Sequence, residues 1–384
     1  MNESLTGVRV LDVTTNVAGP FATQILGDLG ADVIKVERPG SGDDVRGWGP
    51  PFWANGEGVT FTTLNRNKRS IALDLRDEAD RVVFEALVES ADVLVQNLRP
   101  GALDKLGYSW DALHARNPRL IYAEMSGFGH IGPKSRDAAY DPLMQAYSGL
   151  MSLTGEAGRP PVRIPVSILD KGTGMWTAIG ILNALRNRDA SGEGSLVQTS
   201  LLDTALQWEP GQLLGYIATG ETPEPTGSGA AMIAPYQAFE AADGHIIVAA
   251  GNERLWAKLC VALQRPELLT DTRFVDNASR VRHRDELTAT LTQSLVQNPV
   301  AHWVKVLGEA GVPCTPILRI DSVVEEEQIR ALGSLERVPH PDVPAYTQVH
   351  LPVFTNGERF AIRSVAPPLD ADGESIRAEI RAAE

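Results

Sequence analysis

Short apolar runs alternate with amphipathic segments through the first part of the chain. VRVLDV, residues 8–13, reads as a buried strand, GPFATQILGDLGA as a helix with apolar residues at helical spacing, and DVIKVE as a second strand. SIALDL then reads as a strand, EADRVVFEALVES as an amphipathic helix opened by acids, and DVLVQN and RLIYAEMS as two further strands. Strands alternating with helices in this way predict a parallel sheet covered by helices, a Rossmann-like α/β layer.

The pattern changes around RIPVSILDKGTGMW, residues 163–176, where an apolar stretch runs into Asp170 and a glycine-rich turn. Met175, Ala178, Ile179, Leu182 and Leu185 recur at helical spacing, which predicts a helix after Gly174 with one buried face, closed by the glycines of RDASGEG. LVQTSLLDTALQWEPGQLLGYIATG reads as one more helix, and ETPEPTGSG as a linker. Beyond it, PYQAFEAADGHIIVAAG predicts an antiparallel hairpin across Asp-Gly, followed by helices to about residue 325. HLPVF and ERFAIRS, in the strand-like tail, predict a pair across Asn356-Gly357. The expected organisation is a large α/β domain over 1–220, completed by 326–384, a linker at 221–230, and a smaller α+β domain over 231–325.

Composition narrows the classes of function. A chain of 384 residues with 43% hydrophobic and 22% charged residues has the balance of a globular protein. Its formal net charge of −14 argues against nucleic-acid binding, which needs a basic face. No apolar run reaches the roughly 18–20 residues of a membrane helix, and MNESLTGVRV does not read as a secretory leader. Cys260 and Cys314 are the only cysteines, with no metal-ligand spacing around them, so neither a disulfide framework nor a metal site is expected and a cytoplasmic location fits. Arg66, Lys68, Arg69 and the Arg186/Arg188 pair are local cations able in principle to meet phosphates, although solvated surface charge is the blander reading.

Three places in the chain have the residue types that chemistry needs. Glu37 ends the second strand where an acid would hold a ribose, but the GxGxxG fingerprint of a dinucleotide site is missing. His130 stands in the glycine-rich SGFGHIGP without a GxSxG or a second histidine at ligand spacing. Asp170 precedes a helix, where it would serve as an N-cap, as a nucleophile at the mouth of the sheet, or as both, with the helix N-terminus keeping it ionised.

Seven stretches in order, from LTGVRVLDVTTNVAGPFATQILGDLGADVIKVERPGSGDDVRGW through NRNKRSIALDL, VQNLRPGALDKLG, MSGFGHIGP, the Asp170 segment, GEGSLVQTSLLDTAL and GVPCTPIL, make the chain resemble the family III CoA-transferases. The 2-methylacyl-CoA racemases are relatives of that family. The resemblance implies CoA transfer from an acyl-CoA to a free carboxylic acid through aspartyl anhydride and aspartyl-CoA thioester intermediates on Asp170, with coenzyme A as substrate and no permanently bound cofactor. It implies CoA contacts at Arg38, Leu73, Asn97, Leu98, Arg99 and Lys105, the last replacing an arginine, with Val17 and Ala18 at the thiol end and Tyr140 near the acyl group. It also implies an interlocked homodimer. Racemisation is the alternative, but tyrosine stands at position 140, where the racemases place a histidine, and an unperturbed phenol suits α-proton exchange poorly. The chain departs from formyl-CoA transferase at Val17, where a glutamine is expected, which weighs against oxalate and formate as substrates. It lacks the full glycine lid loop, TGSGA and the AAGNERLW around Gly251 being the nearest stretches, and APPLDADGES does not match the C-terminal histidine motif.

Overall fold

The computed structural model describes residues 4–383. Its packing divides into two compact units: one holds the chain up to Leu150, Arg163–Glu221 and everything from Leu332 on, and the other Met151–Val162 with Thr222–Ala331.

The first unit is built on β1 (Arg9–Val13), α1 (Ala18–Asp28), β2 (Asp32–Glu37), β3 (Lys68–Ala72), α2 (Glu78–Ser90), β4 (Val93–Gln96), α3 (Trp110–Arg116) and β5 (Ile121–Ser126). It continues with α4 (Asp141–Ser148), α5 (Ile168–Ser191), β6 (Leu196–Ser200), α6 (Leu201–Trp208) and α7 (Pro210–Thr219). The six strands form one sheet in the order β3-β2-β1-β4-β5-β6, every pair parallel. This is the doubly wound arrangement that the alternating pattern predicts, with its switch point between β1 and β4. Leu11, Ile34, Ile71 and Leu94 face a core closed by Phe84 and Leu87 of α2, while Val10, Val33, Val93 and Ile121 face a second core closed by Ala22 and Leu26 of α1 and Ile181 of α5. Both faces of the sheet are covered, which is why its strands read as continuous apolar runs.

Two elements differ from the sequence reading. LVQTS is the sixth strand rather than the start of a helix; it lies at the sheet edge, and only its last residue, Ser200, is buried. An edge strand of this kind lacks the apolar signature of its inner neighbours. The helix bearing Asp170 begins at Ile168, so Gly172 and Gly174 lie inside it rather than in a turn. These glycines admit neighbouring helices. A Cβ on Gly174 would stand 2.6 Å from the Ala18 carbonyl oxygen of α1, and one on Gly172 would stand 2.8 Å from the Thr204 methyl of α6. The apolar face expected of this helix is divided: Ala178 and Leu185 are buried, whereas Met175 and Ile179 are exposed. Gly192 ends the helix in the left-handed conformation at φ +79°, as its glycines suggest.

The second unit contains the expected hairpin, β7 (Tyr236–Ala241) and β8 (Gly244–Ala249), followed by α8 (Glu253–Ala262), α9 (Asn277–Arg282), α10 (Arg284–Leu295) and α11 (Val300–Glu309). A third strand, β9 (Cys314–Pro316), pairs with β8 and was hidden in GVPCTPIL. Trp256, Phe274, Leu291 and Trp303 lead its separate core, and burial pushes the Cys260 thiol up to about 12, as befits a packing cysteine.

The tail carries β10 (Leu335–Arg337) paired with β11 (Thr347–Val349), then β12 (Phe354–Thr355) paired with β13 (Glu358–Arg359) across Asn356 and Gly357, and ends in α12 (Gly373–Ala383). Asp372 accepts from the Ser70 amide at 2.9 Å, and Arg69 meets Glu379 at 2.6 Å, so the tail is bound to the edge strand β3 of the first unit.

Candidate active site

A crevice of about 930 Å³ opens at the carboxyl ends of β1 to β4, where loops diverge on either side of the switch point. Arg38, Leu73, Leu98, Arg99 and Lys105 all line it, as do Thr14 and Thr15 of the loop from β1 to α1. Arg38 is held by the Gly42 carbonyl at 3.2 Å and by Asp44. Arg99 and Lys105 are exposed and have no carboxylate partner among the described residues, so the crevice offers two uncompensated cations above an apolar wall of Leu73 and Leu98. That combination suits a ligand with phosphates at one end and apolar surface beyond.

Asn97 does not line the crevice but sets its edge. Its Oδ1 accepts from the Thr15 amide at 2.8 Å and its Nδ2 donates to the Thr15 carbonyl at 2.7 Å. The loop is also fixed from below. Asp12, wholly buried, accepts from Lys68 Nζ at 2.8 Å, from Thr23 at 2.7 Å and from the Thr14 amide at 3.0 Å. Lys35, equally buried and paired in register with Asp12 across the sheet, donates to the Thr14 carbonyl at 2.9 Å and meets Asp43 at 3.0 Å. Burial opposes ionisation of Asp12, yet the two lysines hold its carboxyl far below the usual carboxylate range. A fixed loop with Asn16 at φ +65° results. Sequence reading missed this network; its signal was Asp12 and Lys35, each set among apolar residues in the strand runs VRVLDV and DVIKVE.

Only the few residues from Thr14 to Val17 separate this crevice from the start of α1, against which α5 crosses at Gly174. Val17, the residue before α1, and Ala18, its first residue, are both buried. Asp170 stands one helical turn before Gly174, at the third position of α5, and is half-buried. The expected N-cap role belongs to another residue: the Asp141 carboxylate, at the head of α4 and 2% exposed, accepts from the Leu169 amide at 2.7 Å and the Asp170 amide at 3.2 Å. Gln145 donates to the same carboxylate at 2.5 Å. No described residue donates to the Asp170 carboxylate, and burial first, then the charge of Asp141, pushes its pKa up to about 7. The expectation that the helix N-terminus keeps Asp170 fully ionised is therefore corrected: Asp141 occupies the exposed amides, and desolvation prevails. Tyr140, the residue before α4, is 58% exposed and adjoins Asp141.

The remaining candidates have structural occupations. Glu37 binds Arg46 at 2.6 Å and accepts from Ser70 at 2.7 Å, which leaves nothing for a ribose. His130 is held between Glu124 at 3.0 Å and the Thr199 carbonyl at 3.1 Å. The basic groups considered for phosphate are neither ligands nor, for the most part, solvated: Arg66 binds Asp28, Lys68 binds Asp12, Arg69 binds Asp32 and Glu379, and Arg188 binds Asp92, leaving only Arg186 exposed. Among the described residues there is no cluster of His, Cys, Asp or Glu able to hold a metal, and no helix is long and apolar enough to cross a membrane.

Residues 5–373 match the model of CoA-transferase family III. The chain is 39% identical to an acetyl-CoA:oxalate CoA-transferase of Acetobacter aceti, over 98% of this chain and 96% of that one. It is 38% identical to the succinyl-CoA:glutarate CoA-transferase of Mus musculus, over 88% of this chain and 78% of that one. Among solved structures, a CaiB/BaiF family protein from Brucella suis superposes with a TM-score of 0.89 at 38% identity, covering 99% of this chain and all of the other. The doubly wound sheet, the cationic crevice at its switch point and these similarities agree, and the chain belongs to CoA-transferase family III.

Proposed function

We propose that the chain moves coenzyme A from an acyl-CoA to a small dicarboxylic acid, with Asp170 as the covalent carrier. The observation that carries this reading is a half-buried carboxylate, uncapped and without a donor among the described residues, one turn from the contact between α5 and α1. The Asp170 carboxylate attacks the thioester carbonyl, the C–S bond breaks and CoA leaves as thiolate, giving an aspartyl anhydride. The thiolate then attacks the aspartyl carbonyl and expels the donor acid, giving an aspartyl-CoA thioester. The acceptor carboxylate displaces the thiolate to form a second anhydride, and the thiolate attacks the acceptor carbonyl, releasing Asp170 and the new acyl-CoA. Every intermediate is an activated acyl group, so the site must withhold water, and desolvation of Asp170 fits that need.

In this reading the first unit, close to the expected 1–220 with 326–384 but without Met151–Val162, acts as the CoA-binding domain, since crevice and carboxylate both lie there, and the second unit, which includes the expected 231–325, is the smaller one. Arg38, Arg99 and Lys105 take the phosphates, Leu73 and Leu98 the apolar part of the carrier, and Val17, Ala18 and Tyr140 border the acyl end. The names of the relatives, which pair CoA donors with oxalate or glutarate, support a dicarboxylate acceptor. Val17, buried and without a polar group, still weighs against oxalate itself, which leaves longer diacids such as glutarate as the favoured class. Exposed apolar residues on α5 and α7, among them Ile179, Leu214 and Ile217, support a homodimer, for which the family resemblance implies an interlocked form. One labelled CoA thioester exchanged against a panel of free acids, read by mass spectrometry, tests the reading. Transfer to diacids supports it, and loss of an α-proton without CoA exchange would instead identify a racemase.

A further inference from the structure

We infer that Asp141 is a positioning residue that makes Asp170 reactive, by taking the backbone donors at the head of α5 for itself and by holding negative charge beside the carrier. The inference rests on the reading of Asp170 as covalent carrier and deepens it. A carboxylate at the third position of a helix ordinarily finds stabilisation in the free amides of the first turn. Here those of Leu169 and Asp170 are directed at Asp141, at 2.7 and 3.2 Å. Asp141 is fixed in that task by Gln145, whose own amide group is tied to the Ile164 amide at 2.9 Å and its carbonyl at 3.3 Å, so the segment entering α5 and the head of α4 are one hydrogen-bonded assembly.

The consequence is chemical. The free Asp170 carboxylate carries a charge that Asp141 repels; the anhydride and the thioester formed on Asp170 are neutral and feel no such repulsion. The neighbour thus raises the energy of the resting anion and leaves the covalent states where they are, which drives acylation forward. Other groups around this turn do not cancel the effect. Lys171 directs its ammonium over the Phe21 ring at 5.4 Å, and Asp28 of α1 is bound by Arg66. Asp203 of α6 is taken by Ser200, the buried Glu209 carboxylate beyond α6 has no hydrogen-bond partner among the described residues, Glu124 of β5 is held by His130 and Gln198, and Tyr140 adjoins Asp141.

The test is the single-turnover rate of CoA release from an acyl-CoA, followed between about pH 5 and 9. In the wild-type enzyme the rate should rise with pH through a limb near 7, where burial and Asp141 place Asp170. Asp141→Asn keeps one oxygen for the helix amides and removes the charge. Its limb should move down by about one pH unit while the plateau rate falls roughly tenfold. A folded Asp141→Asn enzyme with unchanged limb and rate overturns the inference. Should that variant not fold, the wild-type profile decides: a rate already on its plateau at about pH 5, as for an ordinary carboxylate, overturns it as well. Failure of the underlying reading is distinct, since then no acyl adduct forms on Asp170 in the wild type at any pH.

Discussion

Asp170 gains proton affinity on folding because burial disfavours its anion and Asp141 adds to that, so the folded chain holds a proton that the unfolded chain releases near pH 4. The sign follows: this side chain costs nothing below about pH 4, its cost grows as pH rises from about 4 to about 7, and it stays constant above that. Asp170→Asn should therefore abolish transfer, by about a thousandfold or more, and yet be more stable than wild type at pH 8, by roughly 1–2 kcal/mol after allowance for its partial exposure. Thermal melts at pH 8 and pH 4 check this, the gain at pH 8 disappearing at pH 4. At the far end of the site, Arg99→Ala and Lys105→Ala should each raise KM for the thioester by about tenfold with little change in kcat, as loss of a charge-assisted phosphate contact does. Of these residues Asp170 stood out in the sequence by its setting, and Asp141 did not. Nothing in YDPLM shows that its carboxylate will cap a helix that begins 27 residues later.

At the scale of the element, α5 explains why the site holds its shape. The helix is close to α1 and α6 because Gly174 and Gly172 have no side chains. Gly174→Ala ought to gain helix propensity, worth about 1 kcal/mol, but its Cβ would meet the Ala18 backbone carbonyl at 2.6 Å, and the clash prevails. A net loss of about 1–3 kcal/mol in urea unfolding and a fall in kcat are expected. Gly308→Ala, in α11 with nothing near its Cβ, should instead stabilise by about 0.5–1 kcal/mol. The same comparison shows what a sequence can reveal of an element. The inner strands and α1 declare themselves by period, because burial alone decides their residues. Glycines within α5 look like a turn, because the close approaches that explain them, of α1 at Gly174 and of α6 at Gly172, come from other parts of the chain. The roles of Asp12, Lys35 and Lys68 are hidden for the same reason, since their partners lie outside their own strands: Lys68 of β3 meets Asp12 of β1, and Lys35 of β2 meets Asp43 in the loop that follows.

On the whole molecule, the parallel sheet could be read from the alternating pattern, whereas its strand order, the paired tail strands 335–337 and 347–349 and the closing α12 could not. Within the first unit that tail is held by scattered contacts, polar ones such as Ser70 to Asp372 and apolar ones such as Ile376 against Phe84 and Tyr346 against Trp53, whose partners lie hundreds of positions earlier and leave no local trace. Exposed apolar surface is the other large-scale feature: Ile217 is 75% and Leu214 63% exposed on α7, more than a single chain gains from leaving in water. Light scattering should find two chains per particle, and Leu214→Glu with Ile217→Glu should lower the particle mass and the melting temperature together, because assembly and stability are linked.

The covalent role of Asp170 can be tested directly, because trypsin isolates it in the peptide Ile164–Lys171. The enzyme is incubated with an acyl-CoA, trapped with hydroxylamine and digested. An aspartyl hydroxamate on Asp170 in that peptide, absent from Asp170→Asn, is the result expected. An unmodified peptide from an enzyme that still exchanges CoA, or undiminished exchange by Asp170→Asn, would contradict it.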